Sequence, residues 1–167
     1  RITLSSSNAT LRLQLARLLM TQAQLGEAIH RESTLQRAMD LALSARDQRR
    51  RWGGDSVEAI TLAADIAIVT HYSAALWMIV RPEPDGNATT AEASDPRLIG
   101  KAGLAAAMRG QFDLARTLAA SAPPFESAWI NALTRELELG TETAELTECL
   151  AGLWREAWEL ATNDDER

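Results

Sequence analysis

The chain has 167 residues, 46% of them hydrophobic, and carries a net charge of −6 with 17 basic against 23 acidic groups. That length suits one packed domain, compact or elongated, and the acidic balance excludes a nonspecific grip on nucleic acid or on an acidic membrane. A single cysteine, Cys149, excludes an internal disulfide and fits a reducing, cytoplasmic setting. Lys101 is the one lysine among the basic residues, an arginine bias of the kind a GC-rich bacterial genome produces. The chain opens on Arg1, not methionine, as a piece excised from a longer protein would. No charged lead followed by an apolar core reads as a signal peptide. The most apolar stretch, residues 57–80, holds Glu58, Asp65, His71 and Tyr72, so it reads as two buried helices and not as a membrane span.

Taken in chain order, residues 1–7 read as a flexible lead. Asn8 then precedes ATLRLQLARLLM, where Leu11, Leu15, Leu18 and Leu19 keep helical spacing. A long arginine-bearing helix follows and stops at Gly53 and Gly54. Asp55, with Glu58 three residues on, has the pattern of a capping box for the next helix. Residues 81–95, RPEPDGNATTAEASD, form the one convincing loop, long enough for a lid or a divide between two halves. Asp95 before Pro96 sets an N-cap ahead of a proline at the first helical position. Pro123 and Pro124 close a later helix. Residues 163–167 are a polar tail to a helical domain spanning 8–162. No alternating β pattern occurs anywhere, and the fold class is all-α.

The corner AMRGQFDLARTLAASAPP, residues 107–124, recurs. Gly103, Gly110, Phe112 and Ala115 stand at offsets 0, 7, 9 and 12. The same offsets select Ala16, Ala23, Leu25 and Ala28 in the first pair of helices, and Ala63, Thr70, Tyr72 and Ala75 in the central pair. A degenerate fourth register holds Leu133, Gly140, Glu142 and Glu145, with Trp129 where Ile99 stands thirty residues earlier. A small first residue lets two helices approach, a small second permits a short turn, an apolar third plugs the open end, and alanine at the fourth keeps the pair close. LARLLMTQAQLGEA (15–28) and GLAAAMRGQFDLA (103–115) resemble tetratricopeptide repeats. The spacings of 47, 40 and 30 residues depart from that family's period of about 34. Arg12 and Ala59 stand where its bulky residue near the start of the first helix is usual. A nonrepetitive helical bundle with look-alike corners is the other reading.

The resemblance implies about four antiparallel helix hairpins stacked as a right-handed solenoid that binds a polypeptide. The first helices would line a concave groove with Leu13, Arg17 and Met20, then Arg97, Lys101, Leu104 and Met108, then Ile130 and Asn131. Basic groups among apolar and methionine surfaces suit a peptide with acidic features. The role implied is a non-enzymatic interaction module of a bacterial regulatory, signalling or chaperone-like protein, with no cofactor. The alternative is a ligand sensor or enzyme with a small-molecule pocket under the 81–95 loop.

Other constellations weigh less. QRRRWGGDS, residues 48–56, reads either as a phosphate or base cradle or as a basic helix end followed by a glycine stop. His30 and His71 are the two histidines, and Glu27 with His30 makes one Glu-x-x-His, half of what a two-metal bundle requires, so no metal site is expected. Glu142, Glu145 and Glu148 lie along one helix face as solvated groups do, and raise the pKa expected for Cys149. Five tryptophans are many for this chain. Trp154 and Trp158, four apart, either cover the end of the stack or provide a contact between copies.

Overall fold

The computed structural model describes residues 2–25, 30–70, 73–80, 94–139 and 144–165, and every element among them is helical. In the first half of the chain these are α1 (Ile2–Leu25), α2 (Arg31–Arg51), α3 (Val57–Val69) and α4 (Ser73–Val80). The second half holds α5 (Pro96–Met108), α6 (Phe112–Ala119), α7 (Pro124–Leu139) and α8 (Ala144–Asp165). The chain forms two compact units that meet in sequence between Ala93 and Ser94.

In the N-terminal unit α1 packs against α2, and small residues dominate the buried faces of both. Ala9, Leu13, Ala16 and Ala23 on α1 are buried, as are Ala38, Ala42 and Ala45 on α2. Arg12 on α1 donates to the Ser44 hydroxyl on α2, which ties the pair near its middle. Three arginines close α2, where cations complement the carbonyl end of the helix dipole. The stop is the expected glycine pair. Gly53 takes φ 67°, and the N–H groups of Gly53 and Gly54 donate to the carbonyls of Arg50 and Arg49, at 3.1 and 2.9 Å. α3 follows, buried on most of its circumference through Val57, Ile60, Leu62, Ile66 and four alanines, and packs against α1, α2 and α4.

In the C-terminal unit the cap expected at Asp95 is present. Its carboxylate accepts from the Arg97 backbone N–H at 2.9 Å, and Pro96 is the first helical residue. α5 ends as α2 does: Gly110 takes φ 72°, and Gly110 and Gln111 donate to the carbonyls of Ala107 and Ala106, each at 2.9 Å. α7 packs against both α5 and α6, and α8 against α7. The crossing of α5 with α7 is close because α5 offers Gly100 and Gly103 there. A Cβ on Gly100 would lie 2.8 Å from that of Glu126, and one on Gly103 would lie 2.5 Å from Ile130 Cδ1.

Several expectations change. The first helix starts at Ile2, so the lead expected at 1–7 is helical from its second residue, and Asn8 sits inside the helix on an exposed face. α8 likewise runs on to Asp165, into the expected tail. Asp55 accepts from the Val57 N–H at 2.8 Å, but Glu58 does not turn back to complete a capping box. Its two oxygens pair with Arg17 and Arg49 instead. The prolines do not end a helix: α6 finishes at Ala119, and Pro124 opens α7, where a missing N–H costs nothing.

The repeated corner is realised unevenly. α3 and α5 are each 13 residues long. In both helices the residue at the first offset, Ala63 or Gly103, is buried. The first pair is built differently: α1 and α2 have 24 and 21 residues, Ala23 lies within α1, and Leu25 is no plug, being 84% exposed. Phe112 is half-buried, and Ala115 is fully buried. Tyr72, Ala28, Gly140 and Glu142 lie outside the described residues, as do Glu27, His71 and 81–93 of the expected loop.

Candidate functional site

Of the nine residues expected to line a groove, Leu13, Arg17 and Met20 belong to the N-terminal unit and the other six to the C-terminal one. Three of them are core residues. Leu13 and Leu104 are 1% exposed and Ile130 is fully buried, so they present no surface to a partner. Leu13 lies in the core of the N-terminal unit, and Ile130 packs onto Gly103 where α7 crosses α5. Helical spacing gave these positions an inward direction, and their neighbours turn out to be helices of the same unit.

The basic positions are accounted for locally. Arg17 Nη2 lies 2.7 Å from Glu58 Oε1. Arg97 returns to Asp95 through Nε and Nη2, at 3.1 and 2.9 Å, and this arginine holds the Asp95 carboxyl below the ordinary aspartate range. Two of the three cations of the expected basic stripe are thus neutralised by carboxylates. Lys101, Met20 and Met108 are half-buried and Asn131 is exposed. Asn131 borders a polar depression of about 220 Å³ with Arg116, Thr134, Arg135, Glu138 and Leu153. Arg116 bridges Asp113 and Glu138 across it, which raises the arginine's pKa and lowers that of Glu138.

The arginine-rich stretch at 48–56 is also taken up by structure. Arg49 Nη1 donates to the Asp55 carbonyl at 3.2 Å and to Glu58 Oε2 at 2.9 Å, fastening the end of α2 to the start of α3. Trp52 is 61% exposed beside the glycine stop. Among the described residues no group of three His, Cys, Asp or Glu side chains could hold a metal ion, and no helix is long and apolar enough to cross a membrane. Trp154 donates to Glu136 Oε2 at 3.0 Å, fixing α8 to α7, whereas Trp158 is 71% exposed; the two do not act as one covering stripe.

A larger concave feature lies elsewhere, within the N-terminal unit. A cleft of about 880 Å³ runs between α2 and the α3–α4 hairpin. Leu35, Met39, Ile66 and Ile79 are the buried part of its lining, with Leu43, Val69 and Ala75 half-buried above them. Met78, 79% exposed, stands at its lip beside the exposed Thr70. Arg31, Glu32, Gln36 and Arg46 supply the polar side, all from α2. From Arg31 to Arg46 the cleft follows α2 for about 22 Å, or four helical turns. It forms because α2 carries two apolar faces. Ala38, Ala42 and Ala45 face one way into the core, while Leu35, Met39 and Leu43, spaced at four residues, form a second stripe. That second stripe was the available signal for the site in the sequence. No protein-family model, curated protein or solved structure matches the chain.

Proposed function

We propose that the protein is a polypeptide-binding module, and that the cleft between α2 and the α3–α4 hairpin receives the apolar face of a partner segment. The observation that carries this reading is the cleft's shape and chemistry together: a trough four turns long with an apolar floor, an exposed methionine at its lip and charged groups along one side. An amphipathic helix laid in such a trough buries residues at i, i+3/i+4 and i+7 and leaves its polar face to Arg31, Glu32, Gln36 and Arg46. Methionines adapt to different partner side chains because the thioether is flexible and polarizable. The equal lengths of α3 and α5, and the packing of α7 on both helices of the preceding hairpin, support a tetratricopeptide-like repeat behind this use.

The cleft volume also falls within the range of small-molecule pockets, which favours an apolar ligand as the second reading. Titrating the full chain with amphipathic helical peptides and, in parallel, with apolar small molecules distinguishes the two. Peptide binding that grows with peptide length up to about four turns, and that Met78→Glu weakens by about tenfold or more, supports the module. Saturable binding of a small molecule with no peptide response replaces it with the ligand reading.

A further inference from the structure

α1 carries two apolar faces, and among the described residues of its unit one of them is buried. Ala9, Leu13, Ala16 and Ala23 make up that face of α1, which packs chiefly on α2. About 150° round the same helix, by its 3.6-residue turn, lie Asn8, Leu11, Leu15, Leu18, Gln22 and Leu25, all exposed. Leu11, Leu15, Leu18 and Leu25 are 63, 43, 67 and 84% exposed. The four residues alternate with Asn8 and Gln22 in steps of three and four. Leu4, also within α1, extends the leucine position by a further seven residues in the sequence. A leucine at every seventh residue with a second seam position between is the pattern of a helix that supercoils against a partner with the same repeat.

We infer that this face of α1 is a self-association surface on which a second copy of the same helix packs, parallel and in register, as a two-stranded coiled coil. The second copy is the occupant because the stripe is complementary to itself: leucine meets leucine at Leu11, Leu18 and Leu25, and leucine meets leucine again at Leu15. Asn8 and Gln22 pair with their own counterparts only when the two helices run parallel and in register, which is the role a polar residue at that seam position plays in two-stranded coils. The flanks raise no electrostatic objection. Gln14 and Thr21 on one side and Leu19 on the other are uncharged, and Arg12 is tied to Ser44. The area is of the right order. Wholly covered, the exposed leucines would bury about 450 Å² per copy, roughly 900 Å² over two, before the polar seam and flanking residues are added, against the ~1,200 Å² of a stable interface.

The test is sedimentation equilibrium of the full chain, wild type and the double variant Leu11→Glu/Leu18→Glu, with helicity followed by circular dichroism. The expected result is a wild-type dimer, and a double variant that keeps its helicity but dimerises about 100-fold more weakly or not at all. A cysteine variant supplies an independent readout. With Cys149→Ser as background, Leu18→Cys should oxidise to a covalent dimer, whereas Gln24→Cys, on neither seam, should not. A monomeric wild type overturns the inference, because the leucine face is then covered within one chain or left bare. A dimer that survives the glutamates but is lost in Trp158→Ala also overturns it and moves the contact to α8. A dimer without the Leu18→Cys cross-link overturns the parallel register.

Discussion

Gly103 on α5 and Ile130 on α7 touch so closely that a Cβ on the glycine would fall 2.5 Å from the isoleucine Cδ1, and Ile130 has no exposed surface into which to retreat. Gly103→Ala should therefore cost stability even though alanine is the better helix former. The helical gain is about 1 kcal/mol, against an overpacking cost of about 1–3 kcal/mol. Ile130→Val removes the clashing methyl, so the double variant should recover much of the loss, a positive coupling readable in a urea double-mutant cycle. Gly100→Ala should be worse than Gly103→Ala, because it meets the Cβ of Glu126, which no side-chain rotation moves. A rise in Tm for Gly103→Ala would show that α5 and α7 do not cross there.

Asp95 makes stability depend on pH in a defined direction. Its bonds to Arg97 favour the charged carboxylate and lower its pKa in the folded chain. Its contribution is therefore fully present above the unfolded value, about 3.9, and is lost as pH falls through the lower folded value. Asp95→Ala should cost about 1 kcal/mol at neutral pH, as lost caps do, and less in acid. Asp95→Asn keeps an acceptor for the Arg97 N–H without the titrating charge. Chemical unfolding at pH 7 and pH 3 should show the wild-type advantage over Asp95→Asn shrinking in acid.

Glu58 joins three helices by pairing with Arg17 of α1 and Arg49 of α2 from the first turn of α3. Its side chain is 38% exposed, so solvent screens both pairs. Glu58→Gln should cost no more than about 1 kcal/mol, and the cost should fall with added salt. Arg49→Ala should cost more, since Arg49 is the less exposed partner and also holds the Asp55 carbonyl. Thermal melts in low and high salt separate the two effects.

In the cleft, exposure separates binding from folding. Met78→Glu alters a side chain at the lip and should leave stability within about 0.5 kcal/mol, while weakening peptide binding by about tenfold or more, or 1.4 kcal/mol. Leu35→Ala empties a buried position on the floor and should cost about 2–5 kcal/mol. Calorimetric titration beside an unfolding curve for each variant gives both numbers. Undiminished peptide binding by Met78→Glu would move the binding surface off the cleft.

What the sequence disclosed was governed by how local each signal is. The helical class, the Asp95 cap and the glycine stops at Gly53 and Gly110 depend on one or two residues and their own backbone, and they could be read directly. Asn8 misled because a good cap residue also sits comfortably inside a helix when its side chain faces water. Pro124 misled because proline marks both the residue after one helix and the first residue of the next. The groove was the least legible part. Periodicity says that Leu13, Leu104 and Ile130 point together, but whether that direction holds a neighbouring helix or a partner depends on contacts far away in the chain. The cleft was hidden for a related reason: the polar composition of α2 masked the second stripe of Leu35, Met39 and Leu43.

The buried alanines of α1 and α2 reverse the usual pattern of mutational sensitivity. Most cores lose stability when large side chains are trimmed, but Ala9, Ala16, Ala23, Ala38, Ala42 and Ala45 have only a methyl group each to lose. The loss from any one to glycine is about 1 kcal/mol of helix propensity, whereas each added methyl group must displace a neighbour in a filled interior. For this hairpin, the damaging substitutions are the conservative hydrophobic ones, to valine, leucine or isoleucine.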